Sequence, residues 1–235
     1  MERKRKIRIG IIIALLVAAL AAGGYYIWQE MYSRVQEQKA FDRIYQLVND
    51  ENGRNISLLI EQNRDCVGWV SIPDTTLDYP VMHTPDNPQK YLRLSFEEKY
   101  SFSGVPFLDA RCSLESDNLI IYGHNLKNDT MFSSLGGYIQ ESYSRKHPQI
   151  EFETEREKAV YSVFAVAQVD EDDEWYNFVD APNRKNFDSY IKMVQEKADY
   201  TTDAVPEFGQ QLLTLTTCYG SNKSGRLIVI SVKDN

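Results

Sequence analysis

Apolar positions fall into three regimes along the 235-residue chain. The first is continuous. Ile9 to Trp28 is a run of 20 residues without a charge, about the ~20 that a helix needs to cross a bilayer. Arg3, Lys4, Arg5, Lys6 and Arg8 precede it. A basic flank of this kind holds the amino terminus in the cytoplasm and places the following chain outside. Tyr25, Tyr26 and Trp28 suit the outer interface. The expected element is an uncleaved single-pass anchor, residues 1–28 with their basic tail. A cleavable signal peptide is the alternative, because Ala19-Leu20-Ala21 resembles a cleavage site, but the apolar run continues past it.

The second regime has helical spacing. Val35, Phe41, Ile44, Tyr45 and Val48 approximate one face of a helix over 29–50. Asn55–Asn63 reads as a second helix after Gly53. Together they predict a helical preface, residues 29–65, that packs on the domain behind it rather than forming a coiled coil with a partner.

The third regime begins at Cys66 and consists of short β-like runs. They are Val67–Ile72, Tyr79–His83, Val105–Asp109, Asn118–Tyr122, Ile150–Thr154, Ala159–Val169, Leu212–Thr217 and Leu227–Val232. Eight short strands with turn residues between them predict a mostly β domain, a barrel or sandwich, over 66–235. Pro80 and Pro106 belong at strand starts or edges. Helical spacing interrupts at Thr130–Leu135, near Gln140–Arg145, and at Asn183–Ala198, where Phe187, Tyr190, Ile191 and Val194 share a face. That last helix lies in a long insertion, roughly 170–210, between the sixth and seventh strands. The acidic run Asp170–Glu174 opens the insertion and reads as a solvated loop without the spacing of a calcium-binding loop.

Charge narrows the partners. The formal net charge is −8; the first 28 residues hold five basic and one acidic side chain, net +4, so the remainder carries −12. An acidic domain argues against nucleic acid and tolerates basic partners such as amino groups. Three widely spaced cysteines without a CxxC indicate neither a disulfide framework nor a zinc ribbon, and leave room for a free reactive thiol.

One cysteine stands out by its setting. Leu212–Thr217 is a strand, Tyr219–Gly225 (YGSNKSG) is turn chemistry, and Arg226–Val232 is a second strand. Strands so joined pair antiparallel, which brings Cys218 opposite Arg226. A thiol beside a fixed cation reads as a nucleophile with its oxyanion stabiliser. Cys66 and Cys112 lack such a setting and read as small buried hydrophobes. The nucleophile needs a base. None of the three histidines follows Cys218, which disfavours the papain order. His124 is the best candidate, because the strand Asn118–Tyr122 and then Gly123 deliver it onto a Gly/Asn loop. His83 precedes a Thr-Pro-Asp-Asn-Pro loop without comparable support. His147 sits among Arg145 and Lys146 and reads as solvated.

TLTTC with a downstream arginine resembles the signature of sortases, the cysteine transpeptidases of the Gram-positive surface. Asn118–Asn125 (NLIIYGHN) resembles the sortase histidine segment, and Val67–Val81 resembles its opening strands. Met131, Phe132 and Leu135 resemble the helix after the histidine. The resemblance spans roughly residues 40–235, and the helical preface with the 170–210 helix points to class B. It implies a closed eight-stranded β-barrel with flanking helices, and no metal or organic cofactor. It implies that Cys218 attacks the Thr carbonyl of a sorting signal (NPxTN-like or S/N/PPxTG-like), that His124 serves as acid and then base, and that Arg226 stabilises the oxyanion. It places Thr216, Tyr122, Asn87 and Leu92 along the signal groove. The implied partners are secreted proteins with a carboxy-terminal sorting signal and an amine of the cell-wall precursor, met outside the membrane. Some class B members carry an acidic residue directly after the cysteine; here it is Tyr219.

Overall fold

The computed structural model of the chain describes residues 2–50, 53–126, 129–221 and 223–234. Its contacts divide it into two compact units, Met1–Arg43 and Ile44–Asn235. Helix α1 runs from Glu2 to Val48, so the expected anchor and the first preface helix are consecutive parts of one element. No proline precedes Pro73, and nothing interrupts the backbone ladder. Ile7–Gln29 is long and apolar enough to cross a membrane. Within the second unit, Ile44 and Val48 are buried, whereas Tyr45 is exposed, with its ring centroid 6.4 Å from that of Trp69. Helix α2, Ile56–Gln62, is capped by the Asn55 side chain, which accepts from the Leu58 amide.

The barrel strands are β1 Cys66–Ser71, β2 Asp78–Met82, β3 Phe107–Leu108, β4 Asn118–Tyr122, β5 Gln149–Glu153, β6 Lys158–Asp170, β7 Leu212–Cys218 and β8 Gly225–Lys233. They pair in the order β8-β7-β4-β3-β2-β1-β5-β6, and β8 pairs again with β6. The result is a closed eight-stranded barrel with flanking helices, which removes the free edges that an open sheet would expose. Neighbours are antiparallel except β4–β7 and β2–β3, which are parallel.

Each of the eight expected runs supplies one strand. The third is shorter than expected, because Pro106 has no N–H to give to a ladder, and pairing starts at Phe107. Pro80 lies within β2 opposite Trp69, but β3 meets β2 only at Met82, so no neighbour needs an N–H from Pro80. The helix expected at Thr130–Leu135 starts later, as a 3-10 helix over Ser133–Ile139. Asp129 and Met131 both sit at positive φ, 57° and 56°, a left-handed geometry that a right-handed helix cannot include. The expected short helix near Gln140 is α3, Glu141–Lys146. Helix α4, Arg184–Lys197, is capped by Asn183 and buries Phe187, Tyr190, Ile191 and Val194, the face its spacing predicts.

The segment before α2 is riveted to the barrel by charge. Arg54 Nη2 donates to Asp78 (2.9 Å) and Nη1 to Glu153 (3.0 Å), and the guanidinium lies 4.7 Å from the Trp69 ring centroid. Arg54 and Glu153 side chains are only 11% and 10% exposed. Removing one partner of a largely buried pair strands the other's charge. Arg54→Ala is therefore expected to lower unfolding free energy by about 3 kcal/mol, read as a shift in denaturant midpoint against the parent.

Candidate active site

Strand register assembles the site. In the parallel pair β4–β7, Tyr122 lies opposite Thr216. Two residues beyond each come His124 and Cys218. The two segments stay joined past the strand ends. Gly123 N donates to Thr216 O (3.1 Å), Thr217 Oγ1 to Gly123 O (2.7 Å), and Asn125 Nδ2 to Cys218 O (2.9 Å). On the other side of β7, Cys218 is directly opposite Arg226 of β8. His124, Cys218 and Arg226 thus stand in one row across three adjacent strands. Gly123 is required by packing, since a Cβ there would lie 2.5 Å from the ring of Phe132, which is fully buried. The turn between β7 and β8 closes with Tyr219 N donating to Gly225 O (2.9 Å). Asn222, part of that predicted turn, lies outside the described residues.

The row lies along a cleft of about 570 Å³. Leu92, Tyr122 and Thr216 line it together with Glu171, Tyr176, Asp109 and Arg111. Asn87 is exposed and does not line it, although its neighbours Pro88 and Gln89 do. The floor is aromatic: Tyr122 stacks between Phe107 (centroids 5.5 Å apart) and Tyr176 (6.2 Å). Thr216 is buried and shares a 2.8 Å hydrogen bond with the Tyr176 hydroxyl. Tyr122 donates to Asp109 (2.8 Å), whose carboxylate also accepts from Arg111 Nε (2.9 Å) and Nη2 (2.8 Å). Burial pushes the Asp109 carboxyl up, but the Arg111 and Tyr122 bonds outweigh it and hold it below the usual range.

The three cysteines separate by environment. Cys66 and Cys112 are buried; burial drives their thiols up to about 12 and about 11. Cys218 is exposed on the cleft. The histidines separate too. His124 lines the cleft, and its Nε2 donates to Leu92 O at 3.0 Å. Burial lowers its pKa, the Leu92 bond opposes this, and the Arg93 charge lowers it further. His83 and His147 do not line the cleft. Rather than being solvated, His147 is half-buried, bonded through Nδ1 to Pro73 O (3.1 Å) and packed on Tyr143.

Arg226 is held from two sides. Its Nη1 donates to Lys223 O (2.8 Å) and Gly225 O (2.9 Å), and its Nη2 pairs with Glu171. The acidic run is therefore more than solvated loop, since its second residue, Glu171, is the counter-ion of Arg226. Charge patterning carries no signal for this, because Glu171 and Arg226 are 55 residues apart and meet only where β6 and β8 close the barrel. Tyr176 and the Asp109–Arg111 pair are equally silent in the sequence. Chemically, the row sets an accessible thiol between an imidazole and a guanidinium, an arrangement that can carry out acyl transfer.

The Sortase domain family model matches residues 70–234. Sortase B of Staphylococcus aureus (strain NCTC 8325 / PS 47) is 28% identical over 232 residues, covering 94% of both chains. The solved Staphylococcus aureus sortase B–substrate complex superposes with a TM-score of 0.77 at 26% identity, over 88% of this chain and 98% of that one. A sortase B structure complexed with triglycine gives 0.76 at 26% identity, over 88% and 99%. The chain belongs to the sortase family, the β-barrel cysteine transpeptidases. Within that family it is of the class B kind.

Proposed function

We propose that this chain is a membrane-anchored transpeptidase that cuts a sorting signal after Thr and joins the released carbonyl to an amine of the cell-wall precursor. The observation that carries the reading is the row His124–Cys218–Arg226 on the wall of one cleft. The Cys218 sulfur attacks the Thr carbonyl carbon as the thiolate, its proton held by His124, and Arg226 N–H groups stabilise the oxyanion. The amide C–N bond breaks as His124 gives a proton to the leaving nitrogen. A thioacyl-enzyme remains. The incoming amine loses a proton to His124 and displaces the thiolate, which restores the enzyme. Leu92, Tyr122 and Thr216 are assigned to the groove wall, and Asn87 to its outer rim. The signal is of the NPxTN or S/N/PPxTG type.

The organisation proposed is anchor 1–28, helical preface 29–65 and catalytic barrel 66–235, with the amino terminus cytoplasmic and the barrel outside. The apolar helix Ile7–Gln29 supports the anchor. Relatives solved with a substrate and with triglycine support a peptide donor and a glycine-type amine acceptor. The test uses the full chain in detergent with NPxTN- and PPxTG-type peptides, with and without triglycine, and reads products by mass. Cleavage with a triglycine adduct is expected. Cleavage to free acid alone, whatever the triglycine concentration, would make the chain a hydrolase instead.

A further inference from the structure

The segment between β2 and β3, residues 83–106, reaches His124 through backbone. His124 Nε2 meets the Leu92 carbonyl at 3.0 Å. A carbonyl only accepts, so Nε2 carries the proton and Nδ1 is the nitrogen left to titrate. The position of that carbonyl is set by the two residues before it. Tyr91 is fully buried; its hydroxyl donates to Asp65 (2.8 Å) and accepts from Asn63 Nδ2 (2.8 Å). Lys90 Nζ donates to the same Asp65 oxygen (2.7 Å) and to Glu98 (2.8 Å). Asp65 is itself tied to the barrel mouth, its carbonyl accepting from His83 N (2.7 Å) and its amide donating to Asn63 Oδ1 (3.0 Å).

The return of the segment is equally constrained. Val105 N donates to Tyr91 O (3.0 Å). Gly104 sits at φ 60°, and a Cβ there would lie 2.5 Å from Tyr91 O and 2.8 Å from Leu92 O. Glycine is what lets the chain pass behind the two carbonyls without moving them.

We propose that residues 83–106 form a clasp that sets the tautomer and ring orientation of His124, with Asp65 as the positioning residue that holds it shut. The proposal rests on reading His124 as the acid–base group. A base needs a third group to orient it, and here a main-chain carbonyl fills that place. With Nε2–H committed to Leu92, the catalytic proton has only Nδ1 to come and go from. The clasp meets the ring at the Leu92 carbonyl and carries Arg93, anchored by a 2.8 Å bond to Phe102 O. Burial and the Arg93 charge lower the imidazole's proton affinity, burial more, while the Leu92 bond opposes them.

The experiment is ¹⁵N-histidine spectroscopy of the full chain in detergent, with only three histidines to assign, alongside peptide turnover. The parent is expected to show the Nε2–H tautomer at His124 and a titration midpoint below the ordinary 6.5. Asp65→Asn removes the charge that Lys90 and Tyr91 share. It is expected to mix the tautomers, move the midpoint up toward 6.5 and lower kcat by between about ten- and a hundredfold. Asp65→Glu restores part of each. Lys90→Met is the milder variant, still anchored by Tyr91, and shifts the same signals less. An unchanged tautomer and midpoint in the folded variants overturns the clasp, even if turnover falls, since the segment would then act on substrate alone. Should the parent turn over no peptide, the spectra still decide the clasp while the proposed activity fails separately.

Discussion

Cys218→Ala is expected to abolish turnover, by on the order of 10⁴-fold or more, with the fold intact. The magnitude follows from the proposed mechanism, in which no thioacyl intermediate forms without the sulfur and only binding and oxyanion stabilisation remain. The intact fold follows from location, because Cys218 is exposed at the end of β7 and its side chain supports no core packing. A thiol-directed reagent at neutral pH provides a second readout. Cys66 and Cys112 are buried, and burial pushes their thiols up to about 12 and about 11, so neither offers appreciable thiolate. The parent is expected to take up one label and Cys218→Ala none. Cleavage by the alanine variant at a rate within about tenfold of the parent would remove Cys218 from the mechanism.

Arg226→Met is expected to have the second large effect, a loss of about 10² to 10³ in kcat/KM, the scale on which a preorganised charged donor acts at a developing oxyanion. Stability changes little. The ion pair it removes has an exposed partner, Glu171, at 56% side-chain accessibility, and such pairs contribute roughly 0–1 kcal/mol. Methionine keeps an apolar stem at the start of β8. Lysine is not expected to rescue, because two main-chain carbonyls and Glu171 hold a planar fork with donors to spare, and an ammonium has a single point of charge. Turnover by Arg226→Met within a few-fold of the parent would mean that the oxyanion is held elsewhere. Glu171→Gln gives the opposite sign. Nη1 is already fixed by Lys223 and Gly225, so removing the counter-ion frees a donor and raises the field at the cleft, with kcat/KM rising about two- to fivefold at low salt.

Much of this architecture is legible in the chain. The eight short β runs, the α4 face of Phe187, Tyr190, Ile191 and Val194, and the opposition of Cys218 to Arg226 all follow from local rules. A hairpin has its register set by its own turn, so two residues eight apart can be paired without knowing the rest. His124 is harder. The texture of its strand and loop ranks it first, yet what puts it level with Cys218 is the parallel pairing of β4 with β7, whose partners lie 94 residues apart. The predicted Thr130–Leu135 helix fails at Met131, whose positive φ no propensity scale marks.

By itself, then, the sequence determined the element types, the apolar amino-terminal helix, the hairpin that opposes thiol and guanidinium, and the family motifs. Periodicity and turn chemistry act over a few residues, and those features need nothing more. The tertiary structure alone decided which side chains share the cleft. Barrel closure brings Glu171 to Arg226, and the pairing of β3 with β4 brings Asp109 to Tyr122. The Asp65–Lys90–Tyr91 cluster aims one carbonyl at His124. These are pairings between strands and loops remote in the chain, made between polar and charged residues that carry no hydrophobic pattern. Their positions are fixed by the register and closure of the barrel, which no local window contains.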